Sequence, residues 1–413
     1  MDRIAEFDTL GLGALQAAID LCAFSGGGRV IVPSGRHETA GILMRSGVEL
    51  HLDPGAVLTL SDDPAYYPPV DTRWEGAQQK CHRPLIYAKG QQRLAITGFG
   101  TLEGKGKAWW KRFREGDLKF PRPCFVCFED CEDVRLMDFR IQNSPAWTLH
   151  PLRCNNVQIS GVTIVNPYDS PNTDGIDPES CQNVRILGCC IDVGDDCIAI
   201  KSGTEDAEAM VPCENIVVMG CTMVHGHGGV VLGSEMSGGI RRVSISGCVF
   251  NGPDRGLRLK SRRGRGGVIE DVQASDIIMH DVLCPFVINT RYYCGPRGKD
   301  PSVSAERMEA DEKTPRVRRI IMRNVQATGV RSAAACLIGL PEAPLEDILF
   351  SDSWVEMVKA TPEVPVMMDG MEARTQAGLI ARNVKRLTLT GLQIRGIAGR
   401  EHEFENVEEE KTL

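Results

Sequence analysis

Apolar and polar residues alternate along this chain in short bursts, and one burst recurs. An Asn, Asp or Arg opens it, an aliphatic residue follows, and then every second position is apolar, often with a Gly near the middle. The clearest copies are Asn156-Val-Gln-Ile-Ser-Gly-Val-Thr-Ile164, Asn183-Val-Arg-Ile-Leu-Gly-Cys-Cys-Ile191, Asn215-Ile-Val-Val-Met-Gly-Cys-Thr-Met223 and Arg242-Val-Ser-Ile-Ser-Gly-Cys-Val-Phe250. Weaker copies begin at Asp133, Asp271, Arg319, Asp347 and Arg386. Between 133 and 271 the copies lie about 23 to 32 residues apart, the period of a solenoid.

Period-two alternation predicts strands, and the Gly and Asn punctuation predicts tight turns. A unit this short, with several strands and no helix, can bury its apolar face only against its neighbours. An all-β parallel β-helix is therefore expected. Leucine-rich repeats would need a Leu lattice that is absent, and propeller blades need longer units. Residues 11–24 depart from the pattern and read as a short amphipathic helix capping the open end of the solenoid. Residues 291–317, charged and containing Pro and Gly, read as an insertion. Residues 400–413 read as a charged, solvated or frayed terminus. The chain, 1–413, reads as one domain without a linker.

Composition narrows the function classes. With 42% hydrophobic and 25% charged residues, the chain is an ordinary soluble globular one. A formal charge of −8 argues against a general nucleic-acid or membrane-surface binder, and no apolar run is long enough to span a bilayer. The start, Met1-Asp-Arg-Ile-Ala-Glu-Phe-Asp8, shows no basic and then apolar secretory pattern. Sixteen cysteines fall mostly inside apolar strand-like runs, as small core hydrophobes do. Cys124, Cys127 and Cys131 lack a second pair at zinc spacing, so no metal or other cofactor is expected. A reduced, cytoplasmic protein is the expectation.

The candidate chemistry lies in a second strand that follows each signature burst. Four consecutive ones end in Ser: Asn172-Thr-Asp-Gly-Ile-Asp-Pro-Glu-Ser180, Gly194-Asp-Asp-Cys-Ile-Ala-Ile-Lys-Ser202, Gly226-His-Gly-Gly-Val-Val-Leu-Gly-Ser234 and Arg255-Gly-Leu-Arg-Leu-Lys-Ser261. Registered on Ser, Asp174 and Asp196 share a column, Asp195 and His227 sit one step off it, and Arg258 and Lys260 flank the apolar Leu259 and project outward. Any one of these residues alone is more often a turn residue or part of a solvated face. Their coincidence on one face is costly unless a ligand or reaction uses it. Crowded carboxylates cannot all ionise at their free pKa, so one retains a proton. Glycosidic cleavage needs such a protonated acid beside an ionised one. Arg258 and Lys260 would bind a carboxylate on the substrate, which suggests an acidic sugar. Calcium is the rival use of clustered aspartates, and the adjacent cations argue against it.

At these residues the sequence resembles glycoside hydrolase family 28, the polygalacturonase family, and within it the bacterial exo-acting enzymes. Asn172-Thr173-Asp174, Asp195-Asp196, Gly226-His227-Gly228 and Arg258-Leu259-Lys260 stand in the family's order and rough spacing. The resemblance implies a right-handed parallel β-helix and metal-free, inverting hydrolysis of oligo- or polygalacturonate. It makes Asp195 the general acid, Asp174 and Asp196 the pair that positions and deprotonates water, and His227 a tuning or holding residue. Asn172, Arg258, Lys260 and Tyr293, with Tyr292 as the alternative to the last, would contact the substrate. Aromatics in insertions (Tyr66, Tyr67, Trp74, Trp109, Trp110) favour a partly closed, exo-type cleft, unless they merely pack loops onto the solenoid. Endo action, a rhamnogalacturonan-directed hydrolase and a pectate lyase are the alternatives.

Overall fold

The structure, a computed structural model, describes residues 4–6, 12–293, 304–408 and 410–412. They fall into two compact units, Met1–Asp195 and Asp196–Leu413.

Within the first unit, three parallel strand ladders recur coil after coil. One ladder runs through Gly28–Val32, Val48–Leu52, Gln92–Gly98, Glu132–Met137, Asn155–Ser160 and Gln182–Leu187. Its register stacks Val30, Leu50, Ile96, Leu136, Ile159 and Ile186, all buried, into one apolar column. A one-residue slip in any coil would turn that column outward, so alternation in the sequence fixes the register. Another ladder contains Ile86–Lys89, Val126–Glu129 and Leu149–Leu152, and it extends through single bridges to Ile176 and Glu179. Helix α1, Ala14–Phe24, buries Leu15, Ile19 and Cys22. Gln16 ties it down by bonding both the carbonyl and the amide of Leu43. The expected cap is present, beginning at Ala14.

The second unit repeats the arrangement. Ile216, Val243, Val272, Ile320, Ile348 and Leu387 form its buried column. A separate ladder passes through Ile198–Ile200, Val230–Leu232, Arg255–Lys260, Cys284–Asn289, Ala333–Ile338 and Ala377–Thr390. The expected terminal tail is different from its prediction. His402–Val407 and Glu410–Thr412 are strands paired to Ala377–Thr390, because an exposed last strand offers unpaired donors and acceptors that even a charged segment can satisfy. Of the insertion expected at 291–317, residues 294–303 lie outside the described residues.

The opening residue of every signature burst has one conformation. Asp133, Asn156, Asn183, Asn215, Arg242, Asp271, Arg319, Asp347 and Arg386 all have φ between 55° and 60°. Asn and Asp accept this left-handed geometry readily, whereas Arg does not. The three arginines bond to the corner of a preceding coil: Arg242 to Asn215, Arg319 to Asp271 and Arg386 to Asp347. Among the described residues fifteen cysteines are free thiols and all but Cys190 are buried; burial pushes Cys124, Cys127, Cys154 and Cys336 well above the ordinary thiol range. Buried, protonated thiols of this kind are inert core residues.

Candidate active site

In the first unit, the turn before Ile176 is built from small hydroxyl residues. Ser170 and Thr173 exchange a 2.6 Å hydrogen bond, and the Gly194 amide donates to Thr173 Oγ1 at 3.3 Å. Gly194 has no room for a side chain, since a Cβ there would strike the carbonyl of Ser170. Thr148 donates its amide to the Asp174 carbonyl at 2.9 Å. Asn166 braces the same turn by accepting from the Ser144 amide at 2.8 Å and donating to Thr148 Oγ1 at 3.0 Å. These bonds hold Asp174, which is buried, and Asp195, which is half-buried, with carboxylate oxygens within 4.8 Å of each other. That approach is shorter than the span of about 6.5–9.5 Å usual for an inverting acid and base pair. Asn172, expected to face the substrate, has φ 52° and its Oδ1 accepts from Arg122 at 2.6 Å.

In the second unit, Ile200, Leu232 and Leu259 stack in register, each two residues before Ser202, Ser234 or Ser261, as the alignment on Ser requires. Asp196, 1% exposed, stands at the head of its strand. Lys260 Nζ reaches its Oδ2 at 2.7 Å and Arg258 Nη1 its Oδ1 at 3.3 Å. Burial alone would raise the affinity of Asp196 for a proton, but Lys260, Arg258 and Lys201 more than reverse this. The carboxyl is held well below its usual range, as a fixed anion. Gly228 explains the glycines of the Gly-His-Gly motif. A Cβ there would lie 3.2 Å from Asp196 Oδ1 and collide with Val231. His227 itself is exposed.

Arg258 and Lys260 do leave the strand on the side away from Leu259, yet both are buried rather than displayed. Arg258 Nη2 lies 2.9 Å from Met367 Sδ, and the Tyr292 ring centroid is 5.5 Å from Arg258 Cζ and 5.2 Å from Lys260 Nζ. The Tyr293 amide donates to the Met367 carbonyl at 3.1 Å, so of the two tyrosines it is Tyr292 whose ring stands beside the cations. Arg255 pins the segment carrying Met367 through the carbonyls of Val364 and Pro365. Met367 and Arg122 carry no motif, and only their three-dimensional neighbours identify them. Most of the insertion aromatics pack loops: Tyr67, Trp74, Trp109 and Trp110 are buried, while Tyr66 is 39% exposed.

A parallel β-helix with two aspartates from successive coils brought together, and a doubly clamped carboxylate at the head of a strand, is the equipment of a carbohydrate hydrolase. The chain belongs to the family described as "Glycosyl hydrolases family 28", which it matches over residues 70–361. It is 32% identical over 374 residues to a "Probable polygalacturonase" of Vitis vinifera, covering 88% of this chain and 74% of that protein. It is 28% identical to the polygalacturonase QRT2 of Arabidopsis thaliana, covering 70% of this chain and 63% of the relative. Among solved structures, a hyperthermoactive exopolygalacturonase from Thermotoga maritima superposes with a TM-score of 0.80 at 30% identity, covering 97% of this chain and 93% of the other.

Proposed function

We propose that this family 28 hydrolase cleaves α-1,4-galacturonosyl linkages, acting from a chain end and inverting the anomeric configuration. The observation that carries the substrate reading is the clamp on Asp196. Two cations, Arg258 and Lys260, share one carboxylate, so the cluster retains a positive charge suited to a second carboxylate, that of a galacturonate. Asp196, fixed as an anion, cannot supply the proton that the leaving oxygen needs. That proton comes from Asp195. Water loses its proton to Asp174 as it attacks the anomeric carbon, and the glycosidic bond breaks toward the oxygen that Asp195 has protonated. A carboxylate as acidic as Asp196 is a weak base, so its part is to orient the water and to stabilise positive charge developing on the sugar. His227 tunes or holds the acid. Asn172 and Tyr293 or Tyr292 contact the sugar.

End-on action is supported by the likeness to the Thermotoga exopolygalacturonase; the insertion aromatics contribute little, being mostly buried. Inversion rests on family resemblance. A reduced, cytoplasmic setting is consistent with the free buried thiols; fractionating the native host and finding the protein outside the cell would overturn it. The main test is product size over time from polygalacturonate and from a trimer. Monomer alone from the first time point is expected. A spread of oligomers means internal cleavage, and an ultraviolet-absorbing unsaturated product means a lyase. No cleavage at all removes the substrate.

A further inference from the structure

A buried guanidinium stands behind the Asn172-Thr173-Asp174 turn. Arg122, 2% exposed, lies between helix α2 (Gly106–Glu115) and the strand Val126–Glu129. Its Nη1 donates to the carbonyls of Pro145 at 2.9 Å and Pro171 at 2.6 Å, and its Nη2 donates to Asn172 Oδ1 at 2.6 Å. The Phe113 ring of α2 closes one face, with its centroid 4.0 Å from the guanidinium carbon. Nε is buried without a hydrogen-bond acceptor among the described residues. No carboxylate among the described residues forms a salt bridge with it. Glu75 and Asp174 act on it only through their fields, as does Arg114 with the opposite sign.

Burying a cation with no contacting anion is costly, and all three acceptors it bonds are neutral oxygens that a neutral donor could serve. What a neutral donor could not supply is a planar fork and a full charge in a low-dielectric setting beside Asp174. We infer that Arg122 is a positioning residue for Asp174: its fork sets the turn that aims the carboxylate, and its charge favours the carboxylate in anionic form. Burial lowers the Arg122 pKa to about 10, so the group remains a cation at neutral pH. The groups facing Asp174 within this unit are Asp195 and, more distantly, the Cys124 thiol and Arg122. Asp195 and Arg122 therefore pull its proton affinity in opposite directions. The cation favours Asp174 as the ionised partner, which is the role proposed for it above and on which this inference rests.

The test pairs Arg122→Gln, which loses charge and fork, with Arg122→Lys, which loses only the fork. Selective 13C labelling of aspartate carboxyls, with Asp174 assigned through Asp174→Asn, follows the titration of Asp174 directly. In Arg122→Gln the Asp174 midpoint should move to higher pH, and in Arg122→Lys it should stay near the wild-type value. Turnover of the trimer should fall about 100-fold in both, since both misplace the turn, while the acid limb of kcat/KM moves upward only in Arg122→Gln. Guanidinium ion should restore part of the activity of Arg122→Ala. Equal midpoints in Gln and Lys variants, with no rescue and losses that track the melting temperature, would make Arg122 a packing residue and sink the inference. Should Arg122→Gln fail to fold, Asn172→Ala keeps the cation and removes its acceptor. It should lower turnover and leave the Asp174 midpoint in place, and a shifted midpoint there overturns the inference. If wild type does not cleave galacturonides, the titration still decides the matter.

Discussion

Glu179 in the first unit and Asp196 in the second are built alike and set in different surroundings. Each is a fully buried carboxylate at the side of a strand ladder, gripped by two basic groups. Glu179 takes Arg73 at 3.1 Å and His150 at 2.9 Å, and Asp196 takes Lys260 at 2.7 Å and Arg258 at 3.3 Å. Both are held ionised against the opposing effect of burial. The surroundings separate them. Arg73 comes from the antiparallel hairpin Pro69–His82, whose Trp74 stacks on Trp147 with ring centroids 5.4 Å apart. Trp147 in turn meets the His150 ring edge-on at 5.0 Å, so aromatic rings pack against the partner of Glu179. Beside Asp196 there is instead a glycine, Gly228, so no side chain packs on that flank, where an added Cβ would lie 3.2 Å from Oδ1. Burial and ion pairing are shared by Glu179 and by the carboxylate given a part in the proposed reaction. The room left next to the charge is what distinguishes them.

Breaking the two carboxylates should therefore give opposite signatures. Asp196→Asn is expected to lower kcat by about 10³-fold, the size of loss seen when a group stabilising transition-state charge is removed, as measured by reducing-sugar release. Glu179→Gln leaves a buried Arg73 without its anion and should cost about 3–5 kcal/mol of stability, read by urea denaturation. The folded fraction of that variant should retain near-normal kcat. If Glu179→Gln also abolished turnover in folded protein, the distinction between the pairs would collapse.

Acid sharpens the same contrast. The folded-state pKa of Glu179 is depressed, so its contribution is present above the unfolded value of about 4.3 and is lost as pH falls through the lower folded value. The melting-temperature gap between wild type and Glu179→Gln should be widest near neutrality and narrow steadily below about pH 4. A smaller effect is expected from Gly228→Ala, which pushes a methyl group against Asp196 and Val231. It should cost about tenfold in kcat and about 1–3 kcal/mol of stability, because Val231 must move aside. Smallest should be Tyr292→Phe, which keeps the ring beside Arg258 and Lys260 and should change KM only a few-fold, against a larger change for Tyr292→Ala.

How much of this was legible follows from what repeats. Strand alternation and the Asn, Asp or Arg corners are local and periodic, so the β-helix and the register of Ser202, Ser234 and Ser261 could be read directly. Asp174, Asp195, Asp196, Arg258 and Lys260 stand inside those repeats, and the same periodicity exposed them. Arg122 and Met367 come from stretches between repeats, with nothing periodic to flag them, and the Arg73–Glu179 contact joins residues 106 apart in the chain. The burial of Arg258 and Lys260 was hidden for the same reason, because the cover arrives from the segment around Met367. The terminal strands escaped because a charged sequence can still complete a hydrogen-bonded edge.

The left-handed corners have a consequence for how such a chain can grow. Four corners bond to their counterpart one coil earlier: Asn156 to Asp133, Arg242 to Asn215, Arg319 to Asp271 and Arg386 to Asp347. A coil thus carries both halves of its own joint. A gene segment copied from corner to corner would encode a coil able to dock on its parent without new surface chemistry. Lineages could lengthen or trim the spiral by whole turns while the reactive strands stayed untouched.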